Sequence, residues 1–304
     1  MTQMKPKLQG PAANHADTPD DPVVTIFAAY GVPGPWRRLP STGIANRVYA
    51  TPGVVLRVAT DHDDSIVDAL TESIAAPVAR AAGILTPRLI AFDNSRKFVD
   101  RPFSLWERIH GETLGLVTLD HDARRRVWLE VGQQIAHLHQ RVRSCPDHHG
   151  YLDTPEREMR LDLRLKRFAD SGHGSREAVR EIEHLISDLS PFVFSGGVSN
   201  CFLHNDLHEW NIMCTPEGRL LALIDWGDAG WGDPTLDFAA VPLDAVCVTL
   251  LGYDTVERLG DYAEARIIWD HLQNALDNVV EDPSRRVPTA DYHRFLDRYR
   301  DARR

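Results

Sequence analysis

Leu203–Met213 reads LHNDLHEWNIM, and Leu220–Pro234 reads LLALIDWGDAGWGDP. Asp206 and Asn211 stand five residues apart in a loop-like segment that follows the short apolar run Cys201-Phe202-Leu203. Asp225 comes fourteen residues after Asn211, behind LLALI, a run that reads as a buried strand. Carboxylates and amides beside a buried strand are costly unless something binds them. Thr215–Arg219, TPEGR, is a turn signal, and a hairpin there brings the start of the first stretch to the end of the second. Asn211 and Asp225 then offer two oxygen ligands to a hard cation, with Asp206 nearby and free to act as a base.

Mg²⁺ is bound in this manner, by one or two protein oxygens with water and substrate phosphate completing its octahedron. Protein kinases place a catalytic Asp five residues before a metal-binding Asn and take a further ligand from an Asp-Phe-Gly segment. Here the parts read His204-x-Asp206-x4-Asn211, then Asp225-Trp226-Gly227, with the strand between. A protein kinase follows that last segment with a long activation loop, whereas here GWGDPTLDFA starts five residues after Asp225. That leaves no loop to dock a peptide.

The combination HNDLHEWN and LIDWGDAGWGDPTLDFA resembles the aminoglycoside phosphotransferase family, kinase-like phosphotransferases that act on small molecules such as antibiotics, choline and homoserine. The resemblance implies an α+β, bilobal protein-kinase-like fold, with a small β-rich N-lobe and a larger, mostly helical C-lobe. Asp206 is then expected to take or orient the proton of an acceptor hydroxyl, and Asn211 and Asp225 to coordinate Mg²⁺. The donor is expected to be ATP or GTP. Asp237 resembles the acid that ties down the catalytic loop, and His204 and His208 read as scaffolding. Asp233 reads as the N-cap of a helix starting at Pro234.

The same resemblance asks for a cation on a small-lobe strand, to meet the α- and β-phosphates. Ile44–Thr60, IANRVYATPGVVLRVAT, reads as two strands around a Thr51-Pro52-Gly53 turn, and Arg57 sits in the second, on the face opposite Val54, Leu56 and Val58. Most relatives carry Lys at this place; a guanidinium is larger, planar and bidentate. The alternative is an Arg whose stem covers the sheet edge with its head in water. Glu72, fifteen residues on, matches the helix acid that anchors this cation, although Asp68 and Glu72 both facing water is the competing reading. Ser41-Thr42-Gly43 through Asn46 is expected to cover the phosphates, and the base to lie between Val55 and the connector Trp106–Gly111, with backbone partners around Glu107–Ile109. Acceptor-binding candidates are Asp162, Glu209, Asp228 and Trp231. Aminoglycoside 3'-phosphotransferases end in acids and a terminal aromatic, whereas this chain ends RYRDARR, so that substrate grip does not carry over.

The remainder of the chain is consistent with such a protein. At 304 residues, with 43% apolar and 26% charged residues, it is long enough for two lobes. Residues 201–250 hold eight acids against Arg219, a local charge of −7 within a net −10. That favours a metal or a cationic ligand and speaks against nucleic acid as a partner. No apolar run reaches the length of a membrane span. Cys145, Cys201, Cys214 and Cys247 form no CxxC pair and no signal peptide precedes them, so four reduced thiols and a cytoplasmic location are expected.

Residues 1–22 are expected to be a disordered tail, 23–108 a nucleotide-binding N-lobe, and 109–304 a catalytic and acceptor-binding C-lobe. Helical periodicity marks Asp63–Ile84, with Ile66, Leu70 and Ile74 on one face, Pro77 as a bend or a break and Gly83 as its stop. It marks Arg124–Val142, residues 160–170 and 175–189, and at least two helices after Tyr262. Pro87–Asp93 and Lys97–Glu112 read as short strands. Two other functions compete with an antibiotic kinase: a metabolic kinase of the choline or homoserine type, and a pseudokinase that binds nucleotide without turnover. No H-E-x-x-H spacing supports a zinc hydrolase.

Overall fold

The computed structural model describes residues 22–39, 45–62, 64–152, 161–195 and 200–302, with side chains described to residue 299. The expected tail therefore falls almost wholly outside the described residues. The β-branched and aromatic runs of the first hundred residues pair into one antiparallel sheet. Its strands are β1 (Arg37–Arg38), β2 (Asn46–Ala50), β3 (Val54–Ala59), β4 (Leu89–Asp93) and β5 (Phe103–Glu107), in the order β1-β2-β3-β5-β4. Alternation along β3 buries Leu56 and Val58 on the outer face with Phe103 and Leu105 of β5. A helix not read from the sequence, α1 (Pro22–Ala29), closes that face with Val23, Ile26 and Phe27. Arg57, opposite Ser104 in the ladder, thereby points to the inner face.

Between β3 and β4 runs α2 (Ser65–Ala81), which continues through Pro77 as one helix and passes into Gly83 at φ +87°. Its buried stripe is Ala69, Leu70, Glu72, Ala75, Ala76 and Ala79. Ile66 and Ile74 are only half-buried, which corrects the face expected from apolar spacing. Small alanines face the core because the helix lies close to its neighbours.

After β5 the chain leaves the small sheet, and β6 (Glu112–Thr113) pairs instead with the expected hairpin, β8 (Ile212–Cys214) and β9 (Leu220–Leu223). A second ladder joins β7 (Cys201–Leu203) to β10 (Gly230–Gly232). The helices are α3 (His121–Arg141), α4 (Leu161–Asp170), α5 (Arg176–Val193), α6 (Leu243–Tyr253), α7 (Ala263–Glu281) and α8 (Thr289–Ala302). Asp120 caps α3 by accepting from the Ala123 amide at 2.7 Å, and Ser175 caps α5 through Ala178 at 3.1 Å. The helix α6 carries apolar residues nearly all round and has no readable period. It lies so close to α3 that a Cβ on Gly132 would stand 1.9 Å from the Thr249 carbonyl, and one on Gly252 2.0 Å from that of Leu129.

One apolar cluster fills this larger lobe and extends to Ala76, Ala79, Ile84 and Trp106 of the smaller, so the lobes share packing behind the cleft. All four cysteines are free. Among the described residues no helix is long and apolar enough to cross a membrane.

Candidate active site

The hairpin does what its sequence promised: the Ile224 amide donates to the Asn211 carbonyl at 2.9 Å, setting Asp225 beside Asn211. Both ends of this segment bend through left-handed backbone, Asn205 at φ +68° and Asp225 at φ +67°, a region that Asn and Asp tolerate better than other side chains. The loop that carries Asp206 hangs from Asp237. This fully buried carboxylate accepts the His204 amide at 3.2 Å and the Asn205 amide at 2.5 Å. His139 Nε2 lies 2.9 Å from Asp237 Oδ2, and its Nδ1 lies 3.0 Å from the Tyr253 hydroxyl. His139 and Tyr253 are 98 and 16 residues from Asp237 and left no signal in the sequence.

His204 is buried, meets the Ile224 carbonyl through Nε2 at 3.0 Å and packs on Trp226; burial lowers its pKa. His208 accepts the Trp210 amide at 3.2 Å, and its Nε2 stands 3.3 Å from Asp206 Oδ2. Burial works against its charge, but the Asp206 carboxylate outweighs that and raises the pKa. Asp233 caps the short helix at Pro234 by accepting the Thr235 amide at 2.9 Å.

Asn211 Nδ2 donates to both the carbonyl and Oδ2 of Asp206 at 2.9 Å. Two acceptors on one side fix the amide orientation and turn Asn211 Oδ1 away from them. Neither that oxygen, nor Asp206 Oδ1, nor Asp225 Oδ2 has a hydrogen-bond partner among the described residues. Such hard oxygens suit Mg²⁺ completed by water and phosphate.

Across the cleft, Arg57 Nη1 lies 2.5 Å from Glu72 Oε1 and its Nη2 2.7 Å from Asp225 Oδ1. Arg57 and Glu72 are 16% and 8% exposed, so both water-facing readings are overturned. Burial opposes the guanidinium charge, but Asp225 and Glu72 prevail and hold its pKa above normal. Burial would likewise raise Asp225, yet Arg57 keeps it low; for Glu72 burial wins and pushes the carboxyl up.

One turn before Glu72, Asp68 is half-buried against Gly227, and burial with Asp225 nearby pushes its carboxyl up to about 6. A water-facing reading therefore fails for Asp68 as well. Its signal was its spacing: residues four apart share a helix face.

The other expected residues are placed as follows. Val55 is half-buried beside the shared cluster, and β5 ends at Glu107, whose amide donates to the Arg88 carbonyl at 2.9 Å. Arg108 donates to the Gly53 carbonyl at 3.0 Å, while Ile109 makes no backbone hydrogen bond among the described residues. Asn46 opens β2 opposite Ala59, and Ser41, Thr42 and Gly43 lie outside the described residues.

Asp228 is half-buried, and burial with Asp206, Asp68 and Asp225 around it pushes its carboxyl up to about 8. Glu209 is engaged by Arg124 of α3 in an ion pair no local pattern announced. Trp231 packs edge-on against Phe202, 5.2 Å between ring centres, and Asp162 is exposed on α4. The acceptor candidates are thus not gathered into one cluster.

A five-stranded lobe over a helical lobe, with an acid-and-amide loop facing a strand cation, defines a kinase-like phosphotransferase fold. Residues 36–267 match the family model described as the phosphotransferase enzyme family, APH, and the chain belongs to that family. No curated protein is similar to it at the sequence level. Among solved structures it is similar to an aminoglycoside 2'-phosphotransferase-IIIa in its GDP complex, with TM-score 0.62, 13% identity, and coverage of 91% of this chain and 96% of that one. It is also similar to a choline/ethanolamine kinase family protein from Mesorhizobium loti (TM-score 0.58, 17% identity, 90% and 87% covered). A macrolide 2'-phosphotransferase from Brachybacterium faecium aligns with TM-score 0.58 and 17% identity over 84% and 90% of the two chains. At these identities the likeness is one of fold.

Proposed function

We propose that this chain moves the γ-phosphate of a nucleoside triphosphate to a hydroxyl of a small molecule, with a hydroxyl-bearing antibiotic as the acceptor. The observation that carries it is the convergence of Asp206, Asn211, Asp225 and Arg57 on one cleft, with oxygens of the first three unpartnered among the described residues. Asp206 accepts the acceptor proton as the hydroxyl oxygen attacks phosphorus and the nucleoside diphosphate leaves. Asn211 and Asp225 hold Mg²⁺, which when bound neutralises charge on the phosphate oxygens. Arg57, steadied by Glu72, meets the α- and β-phosphates, and the base lies between Val55 and the connector, where Ile109 makes no backbone hydrogen bond among the described residues. Asp237 keeps the loop in register for all of this. Holding these groups in place supplies most of what a loose phosphoryl transition state needs from protein.

Asp228, Asp206 and Asp68 crowd acidic groups at the mouth of the cleft, which suits an acceptor that is neutral or carries a cation. The similarity to a choline/ethanolamine kinase family protein favours, as a second reading, a metabolic kinase for a small amino alcohol. Mass spectrometry after incubation with Mg²⁺ and ATP or GTP tests both, over aminoglycosides, macrolides, peptide and nucleoside antibiotics, choline and homoserine. One added phosphoryl group on a drug supports the first reading, and on a metabolite alone the second. Nucleotide binding with no transfer to any acceptor would point to a pseudokinase.

A further inference from the structure

The residue proposed to meet the nucleotide phosphates and the residue proposed to hold the metal are bonded to each other. Arg57 spreads its guanidinium between two carboxylates, Nη1 on Glu72 at 2.5 Å and Nη2 on Asp225 at 2.7 Å. The two partners differ: Glu72 is 8% exposed inside the small lobe, whereas Asp225 is 47% exposed at the cleft. Glu72 is the fixed end of the bridge and Asp225 the end a solute can reach. Among the described residues no other Arg or Lys bonds to either carboxylate.

We infer that Arg57 couples metal binding to nucleotide binding by competing with the metal for Asp225. This rests on the function proposed above. Until phosphate oxygens draw Nη2 away, an ion approaching the open Oδ2 of Asp225 meets a carboxylate whose charge Arg57 already neutralises through a charge-assisted hydrogen bond to Oδ1. Once they do, Asp225 turns its charge to the metal while Nη1 stays on Glu72. The device depends on arginine. A guanidinium serves two carboxylates at once from a rigid fork, whereas a lysine ammonium is one compact charge. Placed at residue 57, lysine would stay with the buried Glu72 and leave Asp225 to the ion. By linkage, the factor by which nucleotide tightens the metal is the factor by which metal tightens nucleotide.

Mn²⁺ titration followed by electron paramagnetic resonance tests this on the full chain without nucleotide, comparing wild type, R57K, R57Q, D225N and the R57K/D225N double variant. Both Arg57 substitutions should bind Mn²⁺ about tenfold more tightly than wild type, within the range of ~5–150-fold usual for coupled sites. The gain should vanish in the double variant. Binding of a fluorescent nucleotide in EDTA should survive in R57K and weaken in R57Q, which a merely structural loss would not produce. Equal Mn²⁺ affinity in wild type and R57K overturns the coupling, and so does a gain that persists without Asp225. A separate arm adds nucleotide: if D225N then holds Mn²⁺ as wild type does, the metal site of the proposed function itself is wrong. Far-ultraviolet circular dichroism of each variant verifies folding, and R57Q carries the comparison should R57K misfold.

Discussion

Asp206 has one carboxylate oxygen committed to Asn211 and the other open to the cleft, which is the division of labour a positioned base requires. Asp206→Asn keeps the acceptor for the Asn211 amide and removes the basic oxygen. Steady-state kinetics with an identified acceptor should show kcat lower by ~10²–10⁴-fold with nucleotide affinity nearly unchanged; turnover within a few-fold of wild type would exclude the role. His271 offers a second test, remote from the cleft. It meets the Phe238 carbonyl through Nε2 at 2.9 Å, and burial lowers its pKa from 6.5 to about 4. The unfolded chain therefore takes up this proton first as the pH falls. The contribution to stability is whole above pH 6.5, is lost progressively toward pH 4, and changes no further below that. Denaturation midpoints should fall less over that interval in His271→Gln, which keeps a donor and does not titrate. Of these residues the sequence pointed to Asp206, Asn211 and Asp225, because their spacing along one hairpin defines the proposed site. His271 and His139 were silent, since a buried histidine has no periodic signature.

At the level of elements, the site is assembled where α2 meets the Asp225-Trp226-Gly227 segment. A Cβ on Gly227 would lie 2.8 Å from Asp68 Cβ and 3.2 Å from its Cα, and helix backbone cannot yield as a flexible side chain does. Gly227→Ala should push α2 outward, cost about 1–3 kcal/mol of stability in urea titrations, and raise KM for nucleotide more than it lowers kcat. A normal KM with reduced stability would show that Glu72 keeps hold of Arg57 by another route. The strands β2, β3, β8 and β9 were legible because a turn sits between two apolar runs in each pair. The helices α1 and α6 were not, one being eight residues long and the other lacking a polar face. On α2 the apolar period pointed to Ile66 and Ile74, while close packing selected the alanines.

For the molecule as a whole, the lobes share an apolar cluster at the back and the Arg57–Asp225 contact at the front, so a ligand that touches both faces of the cleft should stabilise the whole. Mg²⁺ with nucleotide at ~100 times Kd should add about 2.7 kcal/mol, seen as a raised Tm in scanning calorimetry. EDTA should remove the metal-dependent part of that rise, and D225N should lack it from the start. An unchanged Tm would mean that the nucleotide does not bind this form of the protein. The sequence by itself pointed to a kinase-like phosphotransferase, since the proposed base, the proposed metal ligands and the strand that spaces them are contiguous in the chain and local geometry suffices to bring them together. Only the tertiary structure decided that Arg57 holds Glu72 and Asp225 together, that Asp68 faces the cleft, that Asp237 leans on His139, and that Glu209 belongs to Arg124. Those pairs join residues from separate elements, and a contact of that kind is set by how the elements pack, for which a single chain read in order carries no period and no spacing.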